Sequence, residues 1–164
     1  MAQQVSIENI EKALKKVDAL QEEALDRLIE THTLSQQNLV DYLLQAGLEY
    51  QNEDLNVYAI YYFAVFVEAF HAQGLPLKEI STDDIEAFHE PYLLALDAVH
   101  SNEDYEPIND LVGQQNLQQF IIEEVESPDS EGVVLDETTQ TQLFIVCMSL
   151  IGLLDSAAAS STEE

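Results

Sequence analysis

Apolar residues recur along the chain at intervals of three and four, and no stretch alternates in the two-residue rhythm of a strand. That spacing predicts helices throughout, and turn residues divide them into about six segments. The first runs from about Ile7 to Glu30, with Ser6 as its cap and Val5 and Ile10 as a hydrophobic staple across it. Ile7, Ile10, Leu14, Val17, Ala24 and Leu28 follow a heptad-like spacing, broken at Gln21. Such a stripe suits the edge of a bundle, with a homodimer seam through residues 7–30 as the alternative. Glu8–Lys12, Glu11–Lys15 and Glu23–Arg27 each place an acid four residues before a base, an arrangement that steadies an exposed helix face by about 0.2–0.5 kcal/mol per pair.

A second helix is expected from about Gln36 to Ala46, capped by Thr33 or Ser35 and stopped at Gly47. The third spans about Asp54 to Gln73, and its stretch Val57–Val67 carries no charge. A helix apolar on every side belongs at the centre of a bundle. Gly74-Leu75-Pro76 ends it. The fourth opens at Ser81-Thr82-Asp83-Asp84, where two acids meet the helix dipole. Pro91 is expected to kink or split it before Leu93–His100. Residues 101–107 read as a loop, and Pro107 suits the start of a fifth helix reaching about Val125. An acidic loop follows over 126–135; Asp136 then caps a sixth helix carrying Leu143–Leu154. A Ser/Ala/Glu-rich stretch at 156–164 reads as a disordered acidic tail. The fold expected is all-α, a single-domain helical bundle of about five to six helices over residues 1–155.

Charge changes this otherwise ordinary picture. The 164 residues hold 32 acids and 5 bases, a net charge of −27. Four bases (Lys12, Lys15, Lys16 and Arg27) lie within residues 1–27, and Lys78 is the last in the chain. So negative a field repels phosphate backbones and anionic lipids, which argues against direct nucleic-acid or membrane binding. It favours a basic protein partner, associating quickly and in a salt-sensitive way. It also keeps a chain soluble in a salt-rich cell without any partner. Met1–Lys16 has no apolar run of the signal-peptide kind. The longest apolar run is shorter than the roughly 20 residues a bilayer crossing needs, so a cytoplasmic location is expected. Cys147 stands alone in an apolar run and reads as a buried, inert thiol.

Candidate chemistry is sparse. Glu68-Ala-Phe-His71 and Glu86-Ala-Phe-His89 are the same tetrapeptide, and Asp97-Ala-Val-His100 is a looser copy. An acid and a histidine three apart share a helix face and can reach one metal ion. The tetrapeptides resemble the Glu-x-x-His pairs of di-iron carboxylate bundles, where each of two further helices adds a Glu. The resemblance stops there: the two copies fall on consecutive helices, with Glu123 or Glu124 as the remaining source of a ligand. His89, Leu93, Leu96 and His100 share one face. His32 is expected exposed near a helix end, Phe70 and Phe88 in the core, and Tyr58, Tyr61 and Tyr62 near hydroxyl partners. No GxSxG, glycine-rich phosphate loop or HExxH occurs, which points away from an enzyme, and nothing calls for a cofactor.

Carboxylates gather at two places. Glu103, Asp104, Glu106 and Asp110 flank one loop; Glu123, Glu124, Glu126, Asp129 and Glu131 flank the next. A fifth helix joining the two loops would bracket one negative face, of the kind that serves a DNA mimic, an immunity protein or a secretion chaperone against a basic client. Three readings follow. The chain is an acidic binding module or inhibitor for a basic protein, a helical protein made acidic by its cell, or a metal-binding bundle built on Glu68, His71, Glu86 and His89. The first uses the most unusual property of the sequence.

Overall fold

The helical periodicity becomes eight helices in the computed structural model, which describes residues 3–128 and 132–162, with side chains up to Ala159. They are α1 (Ile7–Asp18), α2 (Glu22–Ser35), α3 (Gln37–Glu49), α4 (Glu53–Ala72), α5 (Thr82–Asn102), α6 (Glu106–Val112), α7 (Gln115–Glu126) and α8 (Glu137–Thr162). The all-α class stands, with no strand among the described residues. The number of helices exceeds the expected five to six because two long segments break.

The first break separates α1 from α2. Lys15 and Lys16 occupy the last turn of α1, and Glu22 and Glu23 the first turn of α2, each suited to its dipole end. Between them Gln21 is extended, at φ −75° and ψ 161°. No continuous helix spans 7–30; Ile10 and Val17 of the heptad-like stripe are buried in the core, while Ile7 is exposed. The Ser6 cap is as expected, its Oγ accepting from the Asn9 N–H at 3.1 Å. The second break separates α6 from α7 at Gly113 and Gln114, both in left-handed territory, at φ 67° and 48°.

Three further expectations are corrected. Gly47 lies inside α3 rather than ending it. Its missing side chain makes room for Asn56 of α4, whose Oδ1 would lie 2.0 Å from an added Cβ. Pro91 does not split α5. Pro91 and Ala87, the residue whose carbonyl it leaves without an N–H, are both exposed, so solvent faces the missing bond. The C-terminal stretch is not a free tail over its described part. α8 continues through it, Ala157 and Ala158 are buried, and Ala157 O accepts from the Lys78 N–H at 3.4 Å. Residues 163–164 lie outside the described residues.

Several local signals worked as read. Leu75 N–H bonds Phe70 O at 3.0 Å and Gly74 N–H bonds His71 O at 2.9 Å, a Schellman end to α4 with Gly74 at φ 77°. Ser81 and Asp84 form a reciprocal capping box at the start of α5, both bonds 3.0 Å long. Asp136 receives the Thr139 N–H at 3.2 Å and starts α8.

α4 packs against α1, α3 and α8, while α8 also receives α6 and α7. Phe63, Phe66 and Phe70 of α4 and Leu143, Leu150 and Leu154 of α8 are shut from solvent, so these helices form the central pair. Both are long and apolar enough to cross a bilayer by length and composition, which corrects the expectation from apolar runs; here most of each apolar window is buried in the core.

Candidate functional site

Only one of the four side chains singled out for metal binding is buried. Glu68 enters the core from α4, and its Oε2 accepts from Lys16 Nζ of α1 at 2.9 Å. Its Oε1 lies 3.0 Å from His32 Nε2 of α2. His32, expected at the surface, is 6% exposed and stands edge-on to Phe63 and to His71, whose ring centroid is 5.7 Å away. Burial pushes the Glu68 carboxyl up, but the bonds from Lys16 and His32 outweigh it and hold the group below its ordinary range. The cluster ties α1 and α2 to α4.

Glu86 and His89 sit elsewhere. Both are exposed on α5 and line a cleft against α3, where the His89 ring meets Tyr42 at 6.3 Å. Glu68, His71, Glu86 and His89 therefore do not assemble, and no group of three His, Cys, Asp or Glu side chains suits a metal among the described residues. Cys147 is buried, and burial pushes its thiol well above the ordinary range, away from nucleophilic use.

Glu68 gives a direct test. Glu68→Gln is expected to cost about 1–3 kcal/mol at neutral pH, because buried His32 loses its charged acceptor. The folded-state carboxyl is held low, so its stabilising effect is present above the ordinary carboxylate range. It is lost as pH falls through the lowered value. Urea unfolding of both proteins at neutral and acid pH should show the gap closing in acid. A gap of constant size would mean that the ion pair plays no part.

Most of the acidic residues singled out are where a partner can reach them. Glu103, Asp104, Glu106, Asp110, Glu123 and Glu126 are exposed, around α6 and the ends of α5 and α7. Glu124 differs: it is half-buried, accepts from the Tyr62 hydroxyl at 3.4 Å, and is raised by burial. Asp18 takes the neighbouring Tyr61 hydroxyl. Asp129 and Glu131 lie outside the described residues.

The surface opens into two apolar clefts, of about 440 and 890 Å³, and of these acids Glu126 lines the larger. The smaller lies between α3 and α5, the larger between α5 and α7, and α8 floors both. They meet at Leu93, Leu96 and Ile145, forming one trough along α5. On α5 its stripe is Ile85, His89, Leu93, Leu96 and His100, at helical spacing. The sequence shows four of these on one face; that the face stays open depends on α3, α7 and α8. Tyr42, Phe144 and Ile145 are among the residues of the other helices that line it, and they carry no local signal of that role.

The fold and its surface define an acidic, all-helical protein with an apolar trough. No protein-family model matches the chain, and no curated protein or solved structure does so either.

Proposed function

We propose that this chain is a cytoplasmic, acidic helical binding module or inhibitor that engages a basic protein, in the manner of a DNA mimic, an immunity protein or a chaperone. The observation that carries this reading is the sorting of charge. No Lys or Arg follows Lys78, while Glu103, Asp104, Glu106, Asp110, Glu123 and Glu126 all stand exposed around α6 and the adjoining helix ends. A basic partner approaching that side meets attraction over many residues, and α5, α6 and α7 carry no Lys or Arg of their own. Such a field raises the association rate and suppresses neutral or acidic competitors.

An acidic surface serving only solubility predicts no stoichiometric partner. Native mass spectrometry of the protein from its own cells, near physiological salt, separates the two readings. The expected result is a complex with one basic polypeptide that falls apart as salt rises. Charge reversal at Glu123, Glu126, Asp129 and Glu131 should weaken that complex by roughly tenfold or more, chiefly through slower association. Bare protein, or a complex indifferent to salt and to the reversals, overturns the proposal.

A further inference from the structure

We propose that the trough along α5 docks an amphipathic helix of the basic partner, an inference that rests on the acidic-module reading and gives it a site. Its floor and walls present Leu93, Leu96, Tyr105, Ile122, Phe144 and Ile145. Leu93 is 50% exposed and Tyr105 51%, so apolar surface is open to solvent there. Covering it is favourable by about 25 cal/mol per Å².

The walls decide what shape of occupant fits. All three are helices, whose backbone N–H and C=O groups are bonded internally apart from the helix ends and the Ala87 carbonyl opposite Pro91. An extended peptide would find no edge to pair with. A helix arrives with its own backbone satisfied and needs only an apolar stripe. The trough runs from Ile85 to His100 on α5, about 24 Å at 1.5 Å per residue, the length of roughly four turns.

The rim decides the charge of the occupant. Glu49, Glu86 and Glu90 edge one end, Asp97 and Glu126 the other, and no Lys or Arg lines either cleft. Lysines or arginines flanking the stripe of the incoming helix would meet these carboxylates on both sides. An acidic amphipathic helix of the same apolar face would meet repulsion along its whole length.

The test uses the full chain and two labelled synthetic peptides of about 18 residues, long enough to cover the trough. Both carry one leucine stripe at helical spacing; lysine and arginine flank it in one, glutamate in the other. Anisotropy should show the basic peptide binding and the acidic one not, with the bound basic peptide gaining helical circular dichroism. Leu93→Gln and Thr141→Trp alter exposed lining positions outside the core, so the fold is kept. Each should weaken binding roughly tenfold or more; Asp97→Lys with Glu126→Lys should do the same and flatten the salt dependence.

Failure of the trough and failure of the acidic module look different. Binding that falls with the charge reversals but ignores Leu93→Gln and Thr141→Trp overturns the trough and leaves the acidic surface as the partner site. Binding without gain of helix also overturns it. Binding of neither peptide overturns the trough and leaves the acidic module to the native mass spectrum; equal binding of both peptides overturns the selection by charge as well.

Discussion

Phe66→Ala is expected to lower the free energy of unfolding by about 3–5 kcal/mol, the largest loss from any single truncation in the aromatic cluster. Phe66 is fully buried on α4 and lies at the meeting of three rings. It stacks on Tyr62, with centroids 6.1 Å apart, and meets Phe120 of α7 edge-on at 6.3 Å. Phe120 in turn meets Tyr62 at 6.3 Å, closing a triangle between the two helices. Alanine removes both ring contacts, worth about 0.5–1.5 kcal/mol each beyond area. It also leaves a hole that α4, packed on several sides, cannot collapse to fill. Phe66→Leu retains most of the volume and should cost less than half as much. Chemical denaturation with unchanged m-values would measure both. A loss under about 1 kcal/mol for the alanine variant would mean that the α4–α7 contact is not packed as described.

The helix ends that were legible are those written in local chemistry. Ser6, the cap residues at Ser81–Asp84, Gly74-Leu75-Pro76 and Asp136 each act through residues at most five positions away and behave as read; the Ser81 N–H donating to Asp84 Oδ2 adds a capping box to the expected start. The two missed breaks also left traces. Lys15 and Lys16 followed by Glu22 and Glu23 mark a helix end facing a helix start, a charge sorting that the heptad-like stripe concealed. Gly113 marks the other, inside a run with good helical spacing. Gly47 misled because its role depends on a side chain from another helix, Asn56.

What was not legible is where identical local sequences end up. Glu68-Ala-Phe-His71 and Glu86-Ala-Phe-His89 are the same four residues, yet Glu68 is buried between Lys16 and His32 while Glu86 faces a cleft in solvent. A tetrapeptide fixes which side chains share a helix face; the neighbours of that face come from residues tens of positions away. His32 illustrates the same point, because its burial follows from Glu68, which lies 36 positions further on. For the trough the sequence supplies the stripe His89, Leu93, Leu96 and His100. Helices on both sides and beneath decide whether that stripe is core or open surface.

Gln114 is the residue whose importance lies furthest from any sequence signal, and Gln114→Ala is expected to cost about 2–6 kcal/mol. Its side chain is fully buried and joins three segments. Oε1 accepts from the Val5 N–H at 2.9 Å, while Nε2 donates to Gln3 O at 2.8 Å and to Asp155 Oδ1 at 2.9 Å. One amide thus holds the N-terminal segment against α8, with Asn116 Nδ2 donating to Val5 O at 2.9 Å beside it. Alanine would leave the N–H of buried Val5 and the carboxyl of buried Asp155 without these partners, at about 1–3 kcal/mol each. The pH dependence identifies the second part. Burial already raises the Asp155 carboxyl above its ordinary range, and the bond from Gln114 opposes that rise. A carboxyl raised in the folded state favours folding below its unfolded pKa and loses that contribution as pH climbs through the folded value. Removing Gln114 raises it further, so the penalty should be largest at neutral pH and shrink as Asp155 takes up a proton in acid. Gln114→Glu keeps an acceptor for Val5 but sets a second carboxylate against Asp155, so its penalty should fall even more steeply with acid. Equilibrium unfolding of the three proteins at neutral and mildly acid pH would decide it. Penalties that do not change with pH would place the whole effect in the Gln3–Val5 segment and leave Asp155 without a share.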